Sequence, residues 1–441
     1  MSMPRVVITG MGAVSPLGLT VQDLWAGLCA GKCGINKIAA FDPVEFPCKL
    51  AGQLPESFKV QNYVSKSYRK SVKLMARDIE LAVAAAKEAF ESSGIITKGI
   101  DETRINVDSR RMAIDLGAGL MSCDLMELGP AIEKSVSGGN FDIRKWGKDG
   151  LDAITPLWLL KYLPNMLACH IGIIHDIQGP SNTITCAEVA SHLAMAEAMQ
   201  IIQRGAADIA IAGGGEAKVN AMSIMRQCLT GRAATQYNDT PQAACRPFDA
   251  DADGSIFGEA AGILVLESLA NAQKRNAKIY GELVGMGQSH SLNTHYERLE
   301  SDGKAIQIAI EQAMAQADIT ASQIDLILPH GTGIPADDAA ESKGILAALG
   351  KSGSQIPVLP TKSMLSNTSA ASGALDTIVA LCAMADGKIP AAKNCNKKAA
   401  GCDLNIVSTM QQRTIRYALS CGYTYGGQTA AVLIRNWQVK Q

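Results

Sequence analysis

Short β-branched runs alternate with alanine-rich stretches of helical period along nearly the whole chain, and this alternation restricts the fold more than any other feature. Residues 6–9 (Val-Val-Ile-Thr) predict a strand, and 78–92 predict a buried helix because alanines recur there at helical spacing. Residues 209–212 predict another strand, ending in Gly213, Gly214 and Gly215. Further strands are expected over 262–267, 324–328 and 430–434, and helices over 304–316 and 373–386. Such a pattern builds layered α/β structure, and no short tandem repeat is visible that would favour a solenoid. With 441 residues, 47% of them hydrophobic, a large core can be buried, and length alone suggests roughly two or three domains.

A net charge of −1 provides no global field to recruit nucleic acid or a membrane surface. An acidic partner would need a local basic patch instead. Lys66, Arg69, Lys70, Lys73 and Arg77 form one, which reads equally as a solvated helix face. Twelve cysteines at irregular spacing, with no C-x-x-C pair, predict reduced thiols and a cytoplasmic setting. The start leads straight into the apolar run 6–8, which is too short for a secretory leader. Apolar runs fall short of the roughly 18 to 20 residues that cross a bilayer, so no membrane span is expected.

Five motifs carry a family resemblance. They are V-V-I-T-G-M-G-A-V-S-P-L-G at 6–18, C-R-P-F-D-A-D-A-D-G-S-I-F-G-E-A-A-G at 245–262, P-H-G-T-G-I-P at 329–335, T-K-S-M at 361–364 and Y-G-G-Q-T at 425–429. Together they resemble the β-ketoacyl synthase family of condensing enzymes. The resemblance implies a thiolase-type fold, two similar mixed-sheet α/β halves in a layered α-β-α-β-α arrangement. The halves would be 1–260, carrying Glu188, and 261–441, carrying His330, Lys362 and Asn367. Residues 112–161, with Gly117-Ala118-Gly119, resemble an insertion of the family. Asp251, Asp253 and Gly254 look partly like a calcium loop, but the later Glu is missing and the stretch belongs to a family signature, so no metal is expected.

The resemblance places Glu188 where the family has its nucleophilic cysteine. Gly179-Pro180 before it and Gly205 after it keep the family's spacing to that position, so the family's T-A-C reads here Cys186-Ala187-Glu188. Cys186 lies two strand residues away, about 6 to 7 Å, whereas attack on a thioester needs about 3 to 3.5 Å. A carboxylate cannot form the stable acyl thioester that a cysteine forms. As a first-turn acid, Glu188 also has a plain structural reading, since the helix dipole favours a negative charge there. Desolvation raises its pKa while the dipole and any nearby cation lower it.

The resemblance also assigns the remaining site. His330 would polarise the extender thioester as a hydrogen-bond donor, with Thr332 shaping its loop. Lys362 matches the family's lysine, and Glu341 the acid that such a lysine pairs with. Asn367 stands where elongating relatives have a second histidine, and its amide can still stabilise an enolate oxygen. Tyr423 falls at the gating aromatic, and Thr424 replaces a flexible glycine beside it. No bound cofactor is expected. The phosphopantetheine arm of an acyl carrier protein would bring the substrate. Three functions follow: a chain-length-factor-like partner in a homodimer or a heterodimer with a catalytic ketosynthase, a malonyl-carrier-protein decarboxylase, or condensation through Cys186. A non-catalytic acyl-binding scaffold is the non-enzyme alternative.

Overall fold

The computed structural model describes residues 3–291 and 299–439. Its first half contains β1 (Val6–Val14), α1 (Arg77–Ser93), β2 (Met112–Ala118), β3 (Ser181–Thr185), α2 (Ala190–Gln203), β4 (Ile209–Ala217) and β5 (Glu259–Ser268). The second contains β6 (Gly281–His290), α3 (Lys304–Ala317), β7 (Leu326–Leu328), α4 (Pro335–Leu349), β8 (Pro357–Val358), α5 (Ser372–Asp386), β9 (Tyr417–Tyr423) and β10 (Gln428–Asn436).

The halves share one topology. The spatial orders are β1-β5-β4-β2-β3 and β6-β10-β9-β7-β8, each with two antiparallel pairings followed by two parallel ones. The short edge strand Asn405–Ile406 extends the second half. Antiparallel pairing of β1 with β6, Val6 opposite Leu283 and Ile8 opposite Gly281, joins both into one continuous sheet of eleven strands.

Side-chain alternation sets the layers. On β5, Ile263 and Val265 face outward into a cluster with Ile79, Val83 and Phe90 of α1. Leu264 and Leu266 face inward with Met195 and Ile202 of α2, Leu375 and Ile378 of α5, and Val432 and Ile434 of β10. A third cluster joins Ile306 and Ile310 of α3 to Ile327, Leu419 and Leu433. The result is α1, a sheet, α2 with α5, a second sheet, and α3 with α4, as the layered expectation requires. Close approach of the outer helices depends on matching glycines. A Cβ at Gly12 of β1 would lie 2.0 Å from the Ala85 carbonyl oxygen, and one at Gly287 of β6 would lie 1.7 Å from that of Ala309.

Two expected boundaries need correction. A division at residue 260 would cut β5, which pairs with both β1 and β4; the halves instead meet beyond β5, near the helix Leu269–Lys274. The expected insertion cannot begin at 112, because Met112–Ala118 is β2, fully buried between β4 and β3. The added segment starts after it, with the helix Leu125–Lys134 and a small hairpin of Val136–Ser137 with Asn140–Phe141. The helical stretch Ser369–Asp386 is longer and more apolar than the sequence analysis allowed, passing for a membrane span by length and composition, yet 83% of it is buried in the protein interior.

Candidate active site

β3 ends at Thr185, and the chain reverses through a tight turn into α2. Ala187 adopts φ 44°, a left-handed conformation that costs a residue with a Cβ about 1 kcal/mol or more. The turn separates the two acid and thiol candidates. Glu188 is drawn inside to 4% exposure, whereas Cys186 stays half-buried at the end of the strand. Residues Ala187–Val189 pack on the turn Ser369–Ala371, just beyond Asn367, and on β9, which ends in Tyr423.

Glu188 lies in a cluster of buried charges. Burial raises its pKa, and the Arg232 guanidinium, its own backbone amide and the Lys218 ammonium act against that rise. Its Oε2 has no hydrogen-bond partner. Arg232 donates from Nη2 to Asp337 Oδ2 at 2.8 Å and stacks 5.0 Å over the Tyr425 ring. Lys218 pairs with Glu216, whose Oε2 accepts the Ala370 amide at 2.9 Å. Asp78 Oδ1 accepts the Ala217 amide at 2.9 Å, and burial pushes that carboxyl up to about 7.

The His330 loop follows β7 and is held by acids on α4. Glu341 accepts the amides of His330 at 2.6 Å and Gly331 at 2.8 Å, while Asp338 accepts those of Thr332 at 2.8 Å and Phe248 at 2.7 Å. Burial, then the Lys362 charge, keeps the His330 ring well below its usual pKa, so it is neutral at pH 7. The ring sits edge-on to Tyr423, 4.6 Å between centroids.

The expected Lys362–Glu341 ion pair does not form. Both Glu341 oxygens serve the loop amides, and Lys362 Nζ has no hydrogen-bond partner within the described residues. Lys362 instead acts electrostatically on Asp376, which accepts the Thr361 hydroxyl at 2.6 Å. Asn367 Oδ1 accepts the Ser369 amide at 3.0 Å and leaves Nδ2 unpaired. Thr424, the residue after Tyr423, accepts the Gly426 amide at 2.9 Å, which ties down the gating turn.

Glu188, His330, Lys362, Asn367, Thr332, Glu341 and Tyr423 therefore share one interior region, all at 4% exposure or less. Cys186 does not join them in burial, and burial raises its thiol pKa. Lys66, Arg69, Lys70 and Lys73 are exposed along the helical segment Lys66–Leu74. Arg77 must be removed from that patch. Its Nε and Nη2 fork onto Glu259 at 2.9 and 3.0 Å, and its guanidinium covers Phe58 at 4.6 Å.

Sequence reasoning missed Arg232, Lys218, Glu216 and Asp337. The signal for two of them was local: charges at 216 and 218, alternating with Ala217 at the end of an apolar strand, must both face the interior side.

Two duplicated α/β halves, with a strained strand-to-helix turn facing a histidine loop, define a condensing-enzyme scaffold of the thiolase type. The chain belongs to the β-ketoacyl synthase family: the family's N-terminal domain matches residues 3–272 and its C-terminal domain residues 280–396. It is 33% identical over 440 residues to 3-oxoacyl-[acyl-carrier-protein] synthase 2 of Vibrio cholerae serotype O1, covering 99% of this chain and 100% of the relative. Among solved structures it is similar to the ishigamide ketosynthase/chain length factor, with TM-score 0.85 and 27% identity over 99% of this chain and 100% of the other. It is also similar to a type II PKS acyl-carrier protein complex with its ketosynthase bound to the hexaketide, at TM-score 0.82 and 25% identity, with coverage of 99% and 100%.

Proposed function

We propose that this chain is a ketosynthase-fold subunit of fatty acid or polyketide biosynthesis that lacks its own nucleophile and works beside a catalytic relative, as a chain-length factor does. The observation that carries this reading is the Glu188 carboxylate, buried at the start of α2 where the family's motif spacing puts the cysteine. A carboxylate there forms at best an anhydride, which stores no stable acyl group. Cys186 is a poor substitute, because burial keeps its thiol protonated and the turn leaves it outside the buried cluster.

Two surfaces support a partner of the same fold. β3 lies at the edge of the sheet with Ser181, Asn182 and Thr185 exposed, which leaves a strand edge for pairing. Beside it in sequence, the added segment exposes Leu120, Met126, Phe141, Ile143, Leu157 and Leu159, an apolar display suited to an obligate interface. Lys66, Arg69, Lys70 and Lys73 supply the charge to steer an acidic acyl carrier protein. Co-expression with ketosynthase-fold proteins encoded beside it, followed by native mass spectrometry, tests the assignment. A mixed dimer supports it; a homodimer that ignores every such partner contradicts it.

One observation favours a second reading, decarboxylation of malonyl-carrier protein. Lys362 Nζ, Asn367 Nδ2, Arg232 Nε and His330 Nδ1 are all buried without partners, a donor set that suits an enolate or thioester oxygen. Carbon dioxide release that disappears in His330→Ala supports this reading; no release from about pH 5 to about pH 8 rejects it.

A further inference from the structure

At the end of β4 the alternation of side chains puts Ala217 and Val219 in the wall of an open cleft of about 520 Å³, while Glu216 and Lys218 turn the other way, into the interior. Lys218 is only 8% exposed, so a long cation has been buried beside the turn that carries Glu188. Its immediate partner Glu216 is fully buried and anchored by the Ala370 amide, on the same turn that packs against Ala187–Val189. On the other side Arg232 is buried, fixed by Asp337 and capped by Tyr425. Glu188 Oε2 has no hydrogen-bond partner, and the only backbone donor acting on its carboxylate is its own amide, so the side chain itself supplies the anion between two cations.

A lone buried carboxylate would be neutralised or expelled; one flanked by two buried cations can stay in place. We propose that Lys218 and Arg232, with the backbone amide of residue 188, form a seat for a small carboxylate, that Glu188 permanently fills it, and that Lys218 is the positioning residue without which the seat fails. The inference deepens the proposed loss of the nucleophile: the position is occupied by a built-in anion and is not simply vacant of a thiol. The ligand class follows from the donors. A free monocarboxylate of the size of acetate should fit once the Glu188 side chain is removed.

The charged groups that act on the seat are Arg232, Lys218 and Glu216, with Asp78 behind Lys218 and Asp337 behind Arg232. The experiment uses the full chain and needs no partner or turnover, so its failure would leave the chain-length-factor reading standing. Thermal midpoints are measured for wild type, Glu188→Gly, Lys218→Met and Glu188→Gly/Lys218→Met, in sodium acetate and in sodium chloride of equal ionic strength. Acetate is expected to raise the Glu188→Gly midpoint by several degrees over chloride, with no such rise in wild type or in the double variant. An acetate effect equal in all four proteins overturns the proposal. Should Glu188→Gly fail to fold, Glu188→Gln provides the second arm: it should recover much of the midpoint lost in Lys218→Met, because it removes the charge that Lys218 balances. Additive losses would overturn the proposal.

Discussion

Arg232 of the first half donates to Asp337 of the second at 2.8 Å, both residues being buried, and so links the turn that bears Glu188 to the helix whose acids hold the His330 loop. The ion pair crosses the seam between the duplicated halves. It makes the geometry of the site depend on one guanidinium that no family motif singled out.

Replacing that guanidinium should therefore be costly. Arg232→Met leaves Asp337 and Glu188 buried with one cation fewer, and an uncompensated buried charge costs about 3–5 kcal/mol. Urea unfolding should show this loss. Asp337→Asn in the same chain should return part of it, since the stranded anion is gone.

The pH dependence of stability has a defined sign. Burial raises the folded pKa of Glu188 above its ordinary value, and raises Asp115 and Asp78 to about 7 and Glu341 to about 8. Groups raised in this way bind protons more tightly when folded, so their stabilisation is complete below the ordinary carboxylate range. It is lost as pH climbs through the folded values. The urea midpoint should fall between about pH 5 and about pH 8, and Glu188→Gln should flatten part of that slope.

Asp115 offers a sharper case. It lies on β2 with both carboxylate oxygens buried and unpartnered, and desolvation is the main cause of its raised pKa. Asp115→Asn should stabilise the chain at pH 8 by about 1–3 kcal/mol, because an amide carries no charge to bury. The gain should shrink toward pH 5, where the aspartate is already protonated. A constant or opposite effect would mean that Asp115 has a charged partner in solution.

Much of this architecture can be read in the chain before any coordinates. The predicted strands and helices recur with shifted ends, and even the duplication left a trace: Gly10-Met11-Gly12 and Gly285-Met286-Gly287 are the same tripeptide at the same bulged place in β1 and β6. It is too short to notice until the matching helices show what it permits. The site was legible wherever a motif fixed a residue to a loop, as at His330 and Asn367. It was not legible where charge balance decided the outcome. Lys362 and Glu341 look like an ion pair in sequence, but the amides at 330 and 331 compete for that carboxylate and win by proximity. Arg77 continues the run of basic residues only along the chain, because Glu259 arrives from the far side of the fold to take its charge.

That last distinction separates docking from stability. Lys66→Glu with Lys70→Glu should weaken binding of an acidic acyl carrier protein by about tenfold or more at low salt, and less at high salt, because exposed charges are screened. Arg77→Ala should leave that affinity nearly unchanged and lower the unfolding midpoint, since it strands Glu259. Titration calorimetry at two ionic strengths, paired with thermal unfolding, separates the two effects.

The central claim is that position 188 cannot hold an acyl group and that Cys186 does not replace it. Intact-protein mass spectrometry after incubation with a long-chain acyl-carrier thioester, alongside Glu188→Cys, tests this most directly. The account predicts an unchanged mass for the natural chain and an acyl adduct on the Glu188→Cys protein. A stoichiometric adduct on the natural chain, mapped by peptide digestion to Cys186 or Glu188, would contradict it.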